Sequence, residues 1–437
     1  MESLRYRNLG QGLEKFSPAL RNYVSEALSF DAGPEALSGL RSHAREALLE
    51  TLPLGRSERW KYTDLRRYFA KPKRLADAPG VVSQQDLERF LIKGYARAVF
   101  IDGFLSTELS DLEGVEWSAL DEKIVGRVAD IKSTGFVALN SVLLKDGFSL
   151  RVTKSQPQQR PIQLICLTSD KFVGEIHTRI TIEIEENIEA SICETHGAIG
   201  NGVGLCDYVI EIVLGKNARL QHVVHQQASK DIHHVVTRAG RIDEDAKFTG
   251  FSLLEGGALS RSETVLSLTG AGSEVKLYGI GLMRSRQHCD VTTDIMHEVS
   301  HCNSEQVFKN VVDGQGQTVF QGRVYVAPDV QGIEAHQLNR NLLLSKNARA
   351  DSKPELIIHA DDVKCSHGAT VGDLDEEALF YLRSRGISEN IARGILIRGF
   401  AAEMFEVLND KTIVTYLDEA LENWLLCADY DGGLAWS

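Results

Sequence analysis

The residues of this chain with the clearest potential for chemistry are a cysteine and a histidine two positions apart, Cys365 and His367, in the segment HADDVKCSHGAT. If the segment is extended, residues of equal parity share one face of a strand. The face expected here carries His359, Asp361, Val363, Cys365 and His367. A thiolate and an imidazole suit iron–sulfur species, zinc or copper. Two ligands do not complete a four-coordinate site, so the others must come from another strand, a small thiol or a partner chain.

The same spacing also has a purely structural interpretation. An isolated C-x-H pair is more often a buried cysteine beside a hydrogen-bonded histidine, because cysteine commonly behaves as a small core hydrophobe. A second group of candidate ligands comprises His288, Cys289, His297, His301 and Cys302. His297 and His301 have the spacing of a helical i, i+4 pair, but the surrounding sequence favours strands. We therefore expect this second group to be scattered over neighbouring strands.

Two common catalytic motifs are absent from the sequence. It contains no G-x-x-x-x-G-K-[ST] phosphate loop and no G-x-S-x-G nucleophile elbow. Asp290 and Asp294 could serve as the acid pair of a polysaccharide-cleaving solenoid, where two acids flank the scissile bond. Nothing in their spacing selects them over other acids. A free-standing polysaccharide-active enzyme is the alternative function to be tested.

Charge and cysteine content exclude several classes of protein. The 437 residues include 48 Lys+Arg and 61 Asp+Glu, a formal net charge of -13, which argues against binding nucleic acid. No apolar run approaches the ~18 residues of a membrane span. The first ten residues, MESLRYRNLG, lack the apolar core of a secretory signal, so a cytoplasmic location is expected. Seven widely spaced cysteines without C-x-x-C indicate neither a disulfide framework nor a zinc ribbon.

The chain divides into three regions that differ in the spacing of their apolar residues, and these regions must position the candidate residues. Residues 1–95 show apolar residues at helical spacing, and residues 373–437 do so again. In residues 96–372 the pattern has a period of two, with Ile180, Ile182 and Ile184 alternating with polar side chains. No proline lies between Pro161 and Pro328. The chain is therefore mainly β in its middle, with helical regions on either side.

A weak repeat runs through the middle region. Turn-like residues precede a strand pattern at steps of 30, 28, 28 and 30 residues, at Asn187, Asn217, Asp245, Ser273 and Asn303. A steady step with strand-only content predicts a solenoid, and proline is absent because it would remove a ladder donor. An antiparallel sandwich with irregular hairpins is the alternative. The flanking helices are expected to cap the two ends of the solenoid.

Long motifs carry a family resemblance. They are HCNSEQVFKNVVDGQGQTVFQGRVYV at 301–326, KPELIIHADDVKCSHGATVGDLDEEALFYLRSRGI at 353–387, ARGILIRGFAAEMFE at 392–406 and ERWKYTDL at 58–65. In these motifs the chain closely resembles the SufB/SufD family of iron–sulfur cluster assembly scaffold proteins, and within it the SufD branch. The resemblance covers essentially the whole chain and is strongest from about 300 to 406.

The resemblance implies a right-handed parallel β-helix and a non-catalytic scaffold subunit. The implied partners are the sister scaffold SufB, along the late strands, and two copies of the ABC-type ATPase SufC, at the C-terminal helices. Cys365 and His367 fall on family positions near the scaffold interface, where the histidine helps to hold the nascent cluster. The resemblance implies a transient iron–sulfur cluster there and no stably bound cofactor. A homodimer through the same edge strands is the alternative when the chain is alone.

Two departures distinguish the chain from the SufB branch. SufB-like chains carry a cysteine in a Q-C-D-S stretch, whereas residues 337–341 here read QLNRN. The H-E-A-T stretch of SufB is replaced by His367-Gly368-Ala369-Thr370. The chain therefore lacks the main cluster-building thiol of its sister, and a supporting role in cluster formation is expected.

Overall fold

The structure is a computed structural model that describes residue 13 and residues 18–52, 58–69, 74–132, 135–155 and 160–426. The helices of these ranges are α1 Pro18–Ser29, α2 Ser38–Thr51, α3 Arg66–Phe69, α4 Gln84–Glu88, α5 Gly135–Leu143, α6 Glu376–Ser384, α7 Glu389–Ala402 and α8 Lys411–Leu426. Short 3-10 turns lie at Glu35–Leu37, Glu58–Trp60 and Glu403–Val407. Cys427 and the rest of the chain end lie outside the described residues.

Strands fill the middle of the chain. They are β1 Ala96–Ile101, β2 Phe104–Asp111, β3 Glu116–Ser118, β4 Asp146–Val152, β5 Ile162–Thr168, β6 Val173–Ile184, β7 Glu189–Ala198, β8 Val203–Leu214, β9 Arg219–Gln226, β10 Asp231–Ile242, β11 Lys247–Leu254, β12 Leu259–Leu268, β13 Glu274–Met283, β14 His288–His297, β15 Asn303–Val312, β16 Gln317–Val326, β17 Ile333–Leu343, β18 Arg349–Ile358 and β19 Val363–Gly372.

Successive strands alternate between two sheets. The ten-stranded sheet has the order β19-β17-β15-β13-β11-β9-β7-β5-β1-β2, and the nine-stranded sheet has the order β18-β16-β14-β12-β10-β8-β6-β4-β3. Only the pairings of β1 with β2 and of β3 with β4 are antiparallel among the described strands. The chain therefore coils as a β-solenoid of about seven turns, as the repeat predicted. An antiparallel sandwich is excluded.

The repeat corresponds to a column of stacked turns. Asn187, Asn217 and Asp245 have positive φ of 59°, 54° and 55°, a conformation that Asn and Asp tolerate better than most side chains. The Asn187 N–H donates to the Lys216 carbonyl one coil further on, at 2.9 Å. In the next coils the left-handed residues are Gly272 and His301, one and two positions before those predicted.

The lumen of the solenoid is filled by a continuous apolar core. Side chains of both sheets contribute to it, among them Ile182, Ile212, Phe248, Leu266 and Val324. Pro354 lies in β18, the terminal strand of its sheet, where a missing N–H removes no bond to a further strand. The proline-free stretch therefore matches the strands that have neighbours on both sides.

The flanking helices cover the outer faces of the sheets, so the prediction that they cap the ends was wrong. The N-terminal helices pack on the nine-stranded sheet, against Leu205, Val235 and Leu259. The C-terminal helices pack on the ten-stranded sheet, against residues such as Val223 and Phe251. The outer faces of both sheets carry apolar side chains, and the helices bury them. Among the described residues, none of β18 or β19 belongs to the apolar clusters that these helices bury.

One helix interrupts the strand-rich region that the sequence assigned to residues 96–372. Helix α5 is buried along its whole length between α2 and the nine-stranded sheet. Its Asn140 donates through Nδ2 to the carbonyls of Thr178 and Asp207, at 3.1 and 3.2 Å. The sequence pattern missed α5 because a helix buried on all sides lacks an amphipathic stripe. No helix in the described ranges is long and apolar enough to span a bilayer.

Candidate functional site at the open end

The last strand, β19, places Cys365 and His367 on the face that looks into the lumen. Val363 and Cys365 pack against the apolar lumen core. The intervening residues point outward, since Lys364 pairs with Glu334 at 2.7 Å and Ser366 shares a hydrogen bond with His336 at 2.8 Å. The alternation of a strand therefore brings the thiol and the imidazole to the same side of the terminal coil.

Two residues that the sequence placed on this face are not there. Strand β19 begins at Val363, so His359 and Asp361 lie in the turn that follows β18. The His359 ring instead contacts the Tyr325 ring, with centroids 5.6 Å apart. The prediction was wrong for these two residues because it extended the strand across a turn.

Cys365 is half-buried, and burial raises the pKa of its thiol above the ordinary value of 9.0. A hydrogen bond with the Ala335 backbone offsets part of this effect. The side chain is consequently a neutral thiol at physiological pH. A metal that bound Cys365 would have to displace its proton, since the thiolate is the ligand form.

His367 is exposed, and in the described part of the chain it has no hydrogen-bond or ion-pair partner. In the parallel register it lies directly over Gln337 of β17. Gln337 is only 3% exposed, yet neither of its amide atoms has a hydrogen-bond partner among the described residues. Sequence reasoning noted Gln337 only as part of the stretch without cysteine. Gln337 lies two positions after Ala335, so the alternation of a strand places both on the lumen face of β17. This spacing was the signal in the sequence that could have identified Gln337.

The second group of candidate ligands is dispersed, as expected. Cys289 faces the lumen core, and His297 is bonded to Ser304 at 2.9 Å. His301 occupies a turn with φ of 63°, while the Cys302 thiol contacts Ser273. Throughout the described ranges, no three His, Cys, Asp or Glu side chains are arranged to hold a metal ion.

The acid pair of the alternative enzyme is neutralised by arginines. Asp290 is buried and paired with Arg261, and Asp294 is paired with Arg323 and with Arg59 at 3.5 Å. Both carboxylates lie beneath the N-terminal segment that contains ERWKYTDL, because Arg59 belongs to it. These acids therefore lack the open groove that cleavage of a polysaccharide requires.

A buried charge cluster inside the lumen was not predicted. Glu194 pairs with Arg238 and lies 2.7 Å from His222 and 3.0 Å from His196. Burial alone would raise the pKa of Glu194, but Arg238 and His222 outweigh it and hold this pKa well below 4.5. The four side chains come from β7, β9 and β10, which are tens of residues apart in the sequence. No local motif could therefore have predicted this cluster.

Comparisons with known proteins agree with this architecture. Residues 166–400 match the family described as "SUF system FeS cluster assembly, SufBD core domain". The chain is 32% identical to the "Iron-sulfur cluster assembly protein SufD" of Escherichia coli (strain K12), over 92% of this chain and 95% of that protein. It is 31% identical to an "Iron-sulfur cluster assembly SufBD family protein" of Synechocystis sp., over 81% and 83% of the two chains.

A further relative extends the comparison. An "Iron-sulfur cluster assembly SufBD family protein" of Mycobacterium leprae is 27% identical over 86% of this chain and 91% of its own. The matched core domain spans more than half of the chain, and the alignments with these relatives cover most of this chain and most of each relative. The chain therefore belongs to the SufBD family of SUF-system iron–sulfur cluster assembly proteins, and it is SufD-like in sequence.

Proposed function

We propose that this chain is the SufD-like scaffold subunit of a SUF-type assembly complex. It pairs edge to edge with a SufB-like scaffold along β18 and β19, and it binds a SufC-like ABC ATPase through its C-terminal helices. Cys365 and His367 support the formation of a nascent cluster at the scaffold interface. The observation that carries this proposal is the open terminal coil, which presents the thiol and the imidazole from its lumen face.

An open end of a solenoid favours pairing with a second solenoid. Strands β18 and β19 are the last members of their sheets, and every residue of β19 is half-buried or exposed. The outer edge of each strand carries backbone N–H and C=O groups without a neighbouring strand. A partner with matching terminal strands would satisfy these groups and extend the apolar lumen. Two copies of this chain could pair in the same way when the sister scaffold is absent.

The cluster is the cargo of the proposed interface. Cys365 and His367 supply one soft sulfur ligand and one imidazole ligand. Because these are two of the ligands that an iron site needs, the SufB-like partner would supply the others. The raised pKa of Cys365 keeps the thiol protonated, and so less reactive, until iron displaces the proton. The cluster would be held only transiently.

The C-terminal helices offer an apolar surface for the ATPase. Phe380 of α6 is 74% exposed, and Tyr381 and Ile395 are also exposed. Exposed large apolar side chains on adjacent helices are a common feature of protein interfaces. ATP binding by the ATPase could shift the two scaffolds between arrangements, because it favours the arrangement to which the bound state has the better contacts.

Co-expression with the SufB-like scaffold and the SufC-like ATPase of the same organism tests both interfaces. We expect Val371→Asp on β19 to reduce recovery of the scaffold, because a charge would enter the extended lumen. We expect Phe380→Asp on α6 to reduce recovery of the ATPase. Val81→Asp is the matched control, since Val81 is also an exposed valine but belongs neither to β18 and β19 nor to the C-terminal helices.

Each result bears on a separate part of the proposal. Loss of one partner at a time, with the control unchanged, supports it. Full recovery of both partners with Val371→Asp and Phe380→Asp contradicts the assigned surfaces. If the wild-type chain captures no ATPase, the scaffold function itself fails, and a free-standing enzyme, which needs no such partner, becomes the better hypothesis.

A further inference from the structure

Beneath the exposed His367 lies a buried amide whose hydrogen-bonding capacity is unused. Gln337 is 3% exposed and belongs to the lumen face of β17. Both its Oε1 and its Nε2 are buried without a partner among the described residues. Leaving a buried amide unpaired is costly, so such a residue calls for an explanation.

The packing gives the amide a defined place in the terminal coils. A Cβ at Gly322 of the facing strand β16 would lie 2.8 Å from Gln337 Nε2, so this glycine leaves the space that the amide occupies. On the other side, the register sets Gln337 opposite His367, at the strand spacing of about 4.8 Å. One coil deeper, Gln306 lies in register with Gln337, and its Oε1 accepts a hydrogen bond from Thr293 while its Nε2 has no partner among the described residues. Gln306 therefore differs from Gln337 in that its oxygen is already in use.

A histidine that binds a metal through one ring nitrogen usually donates the N–H of its other nitrogen to a carbonyl or carboxylate oxygen. That contact fixes the tautomer and the direction of the ring. Within the described part of the chain, no oxygen accepts a hydrogen bond from the His367 ring. Gln337 Oε1, on the same face of the neighbouring strand, is an acceptor without a partner there.

We propose that Gln337 is the positioning residue for His367. Its amide oxygen accepts the ring N–H when the other ring nitrogen holds iron of the nascent cluster. The inference rests on the proposed function, because it assumes that His367 contacts the cluster. This role gives a reason for the unsatisfied amide of Gln337.

The test measures iron and sulfide bound to the co-purified complex, together with thermal unfolding of the isolated chain. Gln337→Met keeps the length of the side chain and removes the acceptor. We expect it to lower cluster content about 10-fold or more, the usual effect of losing such a partner. The unfolding midpoint should not fall, because an unpaired buried polar group is replaced by an apolar one. A merely structural role would lower both.

Three further variants make the test specific. Gln306→Met is the matched control one coil deeper, and it should leave cluster content unchanged. Gln337→Glu retains an oxygen acceptor and should restore a large part of the content. In the His367→Ala background, Gln337→Met should cause no further loss, because Gln337 acts through His367.

Failure of this inference can be told apart from failure of the proposed function. If His367→Ala lowers cluster content while Gln337→Met does not, the role of Gln337 is refuted and the function stands. Additive losses, or an equal loss with Gln306→Met, also refute the role. If His367→Ala itself leaves the content unchanged, both the proposed function of His367 and the role of Gln337 are wrong.

Discussion

At the scale of single residues, the two candidate ligands on the lumen face of β19 have different surroundings. Cys365 contacts the apolar core and has a thiol with a raised pKa, whereas His367 stands exposed with no described partner. The neighbouring His336 is also exposed but lies on the outer face, bonded to Ser366. Two exposed histidines on adjacent strands therefore provide a direct comparison between the lumen face and the outer face.

His367→Ala should leave the fold intact and reduce iron–sulfur production in cells. The side chain makes no described contact whose loss would destabilise the chain, so we expect the free energy of unfolding to change by less than about 0.5 kcal/mol. Activity of an iron–sulfur enzyme in a strain that depends on this system measures the output. His336→Ala is the control and should behave as wild type. Normal output with His367→Ala would remove the histidine from the account.

A buried histidine elsewhere gives stability a dependence on pH. His177 lies 2.8 Å from Asp207 and 3.4 Å from Glu175, which itself accepts bonds from Tyr23 and Tyr68 of the N-terminal helices. Burial alone would lower the pKa of His177, but the two carboxylates raise it from 6.5 to about 9. Its charged form therefore helps to hold the N-terminal helices on the nine-stranded sheet.

The sign of the pH effect follows from that shift. The folded pKa lies above the unfolded value, so the stabilisation is complete below pH 6.5 and is lost as the pH rises through about 9. Its size is at most about 3.5 kcal/mol, at 1.4 kcal/mol per pKa unit. The difference in unfolding free energy between wild type and His177→Gln should shrink over this range. A constant difference would contradict the assignment, and His43→Gln, on an exposed residue of α2, is the control.

At the scale of elements, sequence patterns predicted the strands and most helices but not where the helices dock. The period of two and the turn residues Asn187, Asn217 and Asp245 are local signals, and the turn residues recur in three successive coils. The docking of α8 depends on contacts such as His225 with Tyr416, which are 191 residues apart. Contacts between residues so far apart leave no local pattern in the sequence. For this reason, the helices that the sequence placed over the ends of the solenoid lie on the outer faces of its sheets.

The stacked turns make a prediction at this scale. Asn217 has φ of 54°, and its Nδ2 donates to Asn187 Oδ1 at 3.0 Å. Asn217→Ala removes this bond and places a less tolerant residue in the left-handed region, so we expect a loss of about 1–2 kcal/mol in unfolding free energy. Asn217→Gly loses the bond but accepts the conformation, so its loss should be smaller. Urea unfolding measures both, and equal losses would contradict the role of the turn conformation.

The candidate site shows how far sequence reasoning reaches. Cys365 and His367 were visible because a strand alternates its faces, and the long motifs around them carry the family resemblance. Gln337 was not visible as a site residue, since its importance comes from a register between β17 and β19 that only the fold defines. The buried pairing of Glu194 with Arg238 was hidden for the same reason.

At the scale of the whole molecule, the solenoid has two unlike ends. At its start, the antiparallel strands β2 and β3 lie outside the first coil. At its other end, β18 and β19 terminate the two sheets without such a cover. The two outer faces, by contrast, carry helices along much of their length. The terminal coil is therefore the surface on which a second solenoid can complete the backbone pairing.

Hydrogen–deuterium exchange of the chain, alone and in complex with the SufB-like scaffold, tests this claim most directly. The account predicts that backbone amides of β18 and β19 gain protection on complex formation, while β2, β3 and the middle strands remain unchanged. Slow exchange of β18 and β19 only in the complex would support edge pairing at the coil that carries Cys365 and His367. Protection confined to the opposite end or to the outer faces, with β19 exchanging as in the free chain, would contradict it.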